Sequence, residues 1–368
     1  MNRRIVRLGL VAAAAAAVIA IGLSLRPASN SGAKAASVAR PASSPSPSPV
    51  HVATMGKLAY ALNGDVYLAN WDGSDPVRIA NGGIQGLHVW SPDGRYLAYG
   101  GETGNHNTLN ISDAQGHLVA SVPQVGSDAI AWSPDSQHIA AWASGRAIGI
   151  FSLHGVREKL LRVPPGQADS DFAPGWSPDG ASIVVPGPRY WRRFPFGLQI
   201  PLDGSRPRQL PAGDPRSQWG YQYSPDGSRV AYSDGYTPTN GGRPCSWLDL
   251  ATANGSGARV LVPHRVYNAA WSPSGDQIAF YTPTSIGLPR IMGPSGEIGV
   301  VDVSSGKLTK LIAVGDGGVI GFSPDGRLVL FWRTDSVGAS SLWAVGTDGS
   351  RPTHLVTGTD GGEWQPMR

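Results

Sequence analysis

A single cysteine, Cys245, leaves this 368-residue chain unable to form an intrachain disulfide. Whatever holds it folded is non-covalent. Past residue 55 no stretch carries a helix-length amphipathic pattern, which argues against a helical bundle. Excess basic charge is also missing from the body of the chain. Residues 1–55 hold six basic side chains and no acidic ones, leaving 24 basic against 26 acidic residues, a body of about −2. No basic stripe remains to neutralise a phosphate backbone, so nucleic acid drops out as a partner. There is no G-x-S-x-G elbow and no H-E-x-x-H pair, the marks of two common hydrolytic chemistries.

What the chain has in quantity is glycine (49) and proline (31), the residues of turns. They recur in register with aromatics. Trp90, Trp132, Trp176, Tyr223, Trp271, Phe322 and Trp364 stand 42, 44, 47, 48, 51 and 42 residues apart. The first six open WSPDG, WSPDS, WSPDG, YSPDG, WSPSG and FSPDG; the seventh opens WQP. In this tetrapeptide proline presets φ, aspartate bonds its own backbone, and glycine takes the left-handed conformation that closes a three-residue hairpin loop. An apolar run follows each turn, such as Ile139-Ala140-Ala141-Trp142 or Leu328-Val329-Leu330-Phe331. Runs of continuous rather than alternating apolar character are strands covered on both faces.

A second hairpin completes most units, for example Val66-Tyr67-Leu68, the turn Asp72-Gly73-Ser74, and Val77-Arg78-Ile79. Four short strands per forty-odd residues make one propeller blade. Residues 57–89 carry three strands without a preceding turn motif, and Trp364 starts a unit that does not continue. Together these fragments complete one more blade. The fold expected is all-β: a seven-bladed β-propeller of four-stranded blades, closed by pairing of the N- and C-terminal strands. Closure removes the free sheet edges that template aggregation.

The W-S-P-D-G blades resemble the TolB-like, WD40-like (PD40) propeller repeat family over roughly residues 56–368. The resemblance implies the fold and a periplasmic or extracellular setting; a propeller platform hosts many unrelated activities. TolB proteins carry a further N-terminal domain, where this chain has a leader and a linker. Peptidases with a related propeller add a hydrolase domain, for which this chain has no room.

Arg3, Arg4 and Arg7 precede an apolar run over residues 8–25, so residues 1–35 read as a signal peptide or an uncleaved N-terminal membrane anchor. No cysteine follows that run, which excludes a lipoprotein anchor. Residues 36–55, rich in proline and serine, read as an extended linker, and residues 56–368 as the propeller. The membrane is expected to be touched only through the N-terminal segment.

The repeated aromatics and the turn aspartates Asp93, Asp135, Asp179, Asp226 and Asp325 read as packing and loop-shaping groups, because repetition in every blade marks structure. Function belongs where repeats differ. Three neighbouring units carry long loops between their second and third strands. One contains Tyr190, Trp191, Arg192, Arg193, Phe194 and Phe196; the next contains Tyr236 and Arg243; the third contains Arg290. Large aromatics mixed with arginine are the composition of interface hot spots. Phe172, Trp219, Tyr221 and Tyr267, in links between blades, extend the same rim. The expected function is an exported, non-enzymatic propeller, monomeric, binding a protein or cell-envelope component without cofactor or metal. The alternative is a lyase or hydrolase acting on a polysaccharide, with Glu102, His106, Asp169, Asp171 and His264 as acid/base groups. Single histidines on different blades leave a metal site open for that alternative.

Overall fold

The computed structural model describes residues 55–81, 88–103, 106–123, 125–143, 147–164, 174–185, 197–210, 221–236, 245–263, 265–283, 296–359 and 361–367. Every strand in it belongs to one of seven four-stranded antiparallel sheets, arranged as a seven-bladed propeller. The first blade runs His88–Trp90, Tyr96–Thr103, His106–Asp113 and Leu118–Pro123, from its inner strand outward. The second to sixth blades repeat that order, beginning with Val125–Trp132, Gly175–Trp176, Gln222–Tyr223, Asn268–Trp271 and Gly317–Phe322. The seventh joins Gly362–Trp364 to Lys57–Leu62, Asp65–Asn70 and Val77–Ala80.

The first turn of each blade is built by its serine and aspartate. In the first blade Ser91 Oγ donates to Asp93 Oδ1 (2.6 Å) and accepts the Tyr96 N–H (3.0 Å), while Asp93 Oδ1 accepts the Arg95 N–H (3.1 Å). Gly94 N–H returns to Ser91 O and Ser91 N–H pairs with Tyr96 O, so the loop proper holds residues 92–95. It is four residues long rather than three, because the position after the glycine bulges out of the ladder. The aspartate contact recurs at Asp135, Asp179, Asp226 and Asp325. In the fifth blade, where Ser274 takes the aspartate's place, the Asp276 carboxylate accepts from Ser272 (2.9 Å) and from Ser274. A carboxylate two positions later thus restores the same brace.

The left-handed position is glycine in most turns (Gly94, φ 69°) but serine in the second blade (Ser136, φ 62°). An L-residue there costs about 1 kcal/mol. Ser136 offsets this by accepting the Asp93 N–H through Oγ (3.1 Å), which ties its turn to that of the first blade.

The second strand of each blade is buried on both faces, as in Ser182–Val185 and His138–Ala143. Its apolar side chains enter cores that mostly lie between blades. One core joins Ile148 and Ile150 of the second blade to Ile183 and Val185 of the third. Indole hydrogen bonds cross the same interfaces. Trp132 Nε1–H donates to Val89 O (2.9 Å), Trp176 to Ala131 O (3.0 Å), Trp271 to Gln222 O (3.1 Å) and Trp90 to Glu363 O (3.2 Å). Each acceptor immediately precedes the repeat aromatic of the preceding blade. The repeated aromatics therefore pack and lock neighbours, as their periodicity implies. Phe322 has no N–H to give; there the Asn268 side chain bridges to Val319 through both its amide N–H and its carbonyl (2.7 and 3.2 Å).

The ring closes through three residues. Leu58, Ala59 and Tyr60 pair with Trp364, Glu363 and Gly362. Gln365 extends the contact: its N–H reaches Lys57 O (2.8 Å), its Oε1 accepts the Lys57 N–H (2.9 Å), and its Nε2 donates to Gly94 O (2.7 Å). Trp364, 5 % exposed, packs with Leu58, Leu342 and Leu355. Loss of a buried tryptophan alone costs about 3–5 kcal/mol. Deleting residues 364–368 is expected to lower Tm by roughly 10 °C. A melting curve unchanged by the deletion, followed by circular dichroism, would remove this segment from the closure.

Candidate functional site

Because strands alternate in direction, first-to-second and third-to-fourth turns leave one face of the ring, here the turn face. Second-to-third loops and the links between blades leave the other, the loop face. Residues 186–196, 237–244 and 284–295 join second and third strands of the third, fourth and fifth blades. The strand ends that flank these three long segments therefore lie at one face on consecutive blades. Tyr190, Trp191, Arg192, Arg193, Phe194, Phe196, Trp219, Arg243 and Arg290 lie outside the described residues, as does Phe172. Tyr236 ends a strand, its backbone opposite Cys245. Of the acid/base alternatives, Glu102 and His106 flank the tip of the first blade's loop-face hairpin, where Thr103 pairs with His106. Asp169, Asp171 and His264 lie outside the described residues. Among the described residues, no three His, Cys, Asp or Glu side chains group as a metal would require.

Two described links contribute to this rim: Tyr221, between the third and fourth blades, lies edge-on to Tyr223 (centroids 5.8 Å apart) and against Gly175, and the link between the fourth and fifth blades carries Tyr267. Tyr267 is half exposed and lies nearly parallel to Tyr281 (centroids 6.4 Å apart, 26° between planes). The Arg265 guanidinium sits over the Tyr267 ring, 4.7 Å from its centroid. Tyr281 is fixed by donating its hydroxyl to Gly315 O (2.8 Å), and burial, then the charge of Asp316, raises its pKa. Beside this stack a recess of ≈ 370 Å³ is lined by Arg265, Phe280, Thr282, Pro283, Glu297 and Lys310 among others. Tyr267 was legible in the sequence as a rim residue. Arg265, two positions earlier in the same link, was not singled out.

On the turn face a second recess, of ≈ 480 Å³, lies on the ring axis. Its walls come from the first, fourth, fifth, sixth and seventh blades, which meet only there, and include five of the turn prolines. Among the described residues, Glu363 is its one charged lining residue. Glu363 Oε2 accepts the Trp90 N–H (2.8 Å) across the closing interface. Burial raises its pKa to about 7, against the lowering effect of that N–H. His88 lies on the strand that also carries Trp90, 7 % exposed, with Nδ1 lacking a hydrogen-bond partner. Burial lowers its pKa to about 4, opposed by a hydrogen bond to the Ala59 backbone.

These shifts act on stability with opposite signs. Glu363 favours the protonated native state, so its contribution is complete below pH 4.5 and lost as pH rises through about 7. His88 favours the neutral native state, so its contribution is complete above pH 6.5 and lost as pH falls through about 4. Between those limits one proton is held by His88 in the unfolded chain and by Glu363 in the native one, and the slopes cancel. Glu363→Gln is expected to expose the histidine slope, with stability falling from pH 6.5 to 4.5. His88→Gln should expose the opposite slope, each up to about 1 kcal/mol per pH unit. Urea midpoints measured across this range check both; parallel pH profiles for the two variants would contradict the assignment.

No protein-family model matches the chain, and no curated protein matches it. Solved neighbours include TolB proteins and a WD40 domain. TolB from Acinetobacter baumannii is 16 % identical with a TM-score of 0.48, covering 84 % of this chain and 67 % of that one. An oligogalacturonate lyase in complex with manganese is 13 % identical with a TM-score of 0.56, covering 83 % and 86 %. A 6-phosphogluconolactonase assigned as such without proof, from Bacteroides fragilis NCTC 9343, is 12 % identical with a TM-score of 0.53, covering 86 % and 99 %. What these likenesses bear on is the fold alone; by its own sheet order this chain is a seven-bladed β-propeller.

Proposed function

We propose that this chain is an exported, non-enzymatic propeller that binds a protein or cell-envelope ligand through its loop face. Residues 1–35 act as the signal or membrane anchor, and residues 36–55 hold the monomeric ring away from the bilayer. The observation that carries the reading is the Arg265–Tyr267–Tyr281 stack. It presents an exposed aromatic ring backed by a cation on the face where the strand ends flanking the three long segments lie. Its chemistry continues that of Trp191, Arg192 and Arg193 in the loop of the third blade. Aromatic and arginine side chains together give large apolar contact area with directional hydrogen bonding at low ordering cost.

Capture of a partner from solubilised membranes by the tagged full chain tests this. Trp191→Ala combined with Arg192→Ala is expected to weaken capture at least tenfold, equivalent to about 1.4 kcal/mol or more, with Tm unchanged. Capture retained by the double variant would take the third-blade loop out of the interface.

A further inference from the structure

We propose that the axial recess on the turn face binds a small primary amine carried on an apolar body, with Glu363 as its counter-ion. This site is separate from the loop-face interface and does not depend on it. The first ground is a departure from the repeat. The residue before each repeat aromatic is Val89, Ala131, Gly175, Gln222, Ala270 and Gly321 in six blades, and Glu363 in the seventh. Only one is charged, and it lines the recess.

The second ground is that the structural duty at this position needs no charge. Gln222 bridges its own interface with an amide, donating Nε2–H to Ala269 O (3.0 Å). Glu363 accepts one backbone N–H, from Trp90, which a neutral glutamine oxygen can also accept. A carboxyl costs more to bury than an amide, so its charge calls for a use outside the interface.

The third ground is what surrounds it. Trp271, Ile320, Phe322 and Met367 give the recess apolar walls, and ≈ 480 Å³ falls within the span of small-molecule pockets, roughly 300–1,000 Å³. Three strands pack against Gly362–Trp364. Lys57–Leu62 brings Lys57, whose amine is bound to Asn70 Oδ1 (3.2 Å), and Tyr60, stacked on Tyr67. His88–Trp90 brings His88, which burial keeps neutral at pH 7. Gly317–Phe322 brings no titratable side chain. Among the described residues no cation is paired with the Glu363 carboxyl, so an incoming ammonium meets a carboxyl without a counter-ion between apolar walls. Such pairing favours the ionised form of Glu363 and expels its proton.

Calorimetric titration of the full chain with phenethylamine, and with phenethyl alcohol as its neutral twin, tests the proposal. Expected are saturable binding of the amine, about tenfold tighter at pH 8 than at pH 6, and at least tenfold weaker binding of the alcohol. Glu363→Gln should lose at least tenfold in amine affinity together with the pH dependence. Met367→Lys, at a 46 % exposed position on the rim, places a competing ammonium there and should lose binding as well without touching the closing interface. Equal affinity for amine and alcohol, undiminished binding by either variant, or no saturable binding at pH 8 would each overturn it.

Discussion

Every blade of this ring is a sheet whose two faces must both be covered, and the only covers available are its neighbours. That constraint makes closure the condition for everything else. Six blades are continuous in chain and follow one another in sequence order. The seventh is assembled from opposite ends, and its inner strand is only Gly362–Trp364. With no disulfide to help, three backbone pairs, one buried indole and the three hydrogen bonds of Gln365 hold the ring shut. The approach there is close. A Cβ on Gly94 would fall 2.0 Å from Pro366 O, so the first-blade turn and the C-terminal segment fit only because that position is glycine.

The blade was legible in the sequence because its determinants are local. Ser-Pro-Asp-Gly specifies a turn within five residues, and an apolar run specifies a strand covered twice. The same locality explains how Ser274 could break the motif harmlessly, since Asp276 lies within side-chain reach of the same serine. The loop length was misjudged by one residue because proline, aspartate and glycine fix the turn but not where the ladder resumes. Only the hydrogen bond from Ser91 N–H to Tyr96 O decides that.

Glu363 and Arg265 were illegible for the opposite reason. Nothing within ten residues of Glu363 marks it, because its partner Trp90 comes from the other end of the chain and the recess walls Trp271 and Phe322 from two other blades. The available signal was comparative: six uncharged residues at its register position and one carboxyl. Arg265 becomes conspicuous only once Tyr267 and Tyr281 are stacked beneath it. The interblade cores also differ in a way periodicity hides. Among the described residues, apolar clusters span the other six interfaces, whereas the cluster of Val230, Tyr232, Ala251, Tyr221 and Tyr223 stays within the fourth blade. At the third–fourth junction Tyr221 instead lies against Gly175, where a Cβ would meet its hydroxyl at 2.1 Å.

With Glu363, the one charge among the described lining residues, on the closing strand, occupancy of the recess by an ammonium would be coupled to the strength of the closure. The Trp90 N–H donates to the same carboxyl that would face an ammonium, and a hydrogen bond to a carboxylate is roughly twice as strong as one to its neutral acid. A ligand that favours the ionised form therefore tightens the bond across the interface between the seventh and first blades. The desolvation that raises Glu363 weakens that bond at pH 7 when the recess is empty. Binding and closure thus change in the same direction. The coupling is reciprocal, so whatever loosens the terminal strand must also weaken the hold on an axial cation.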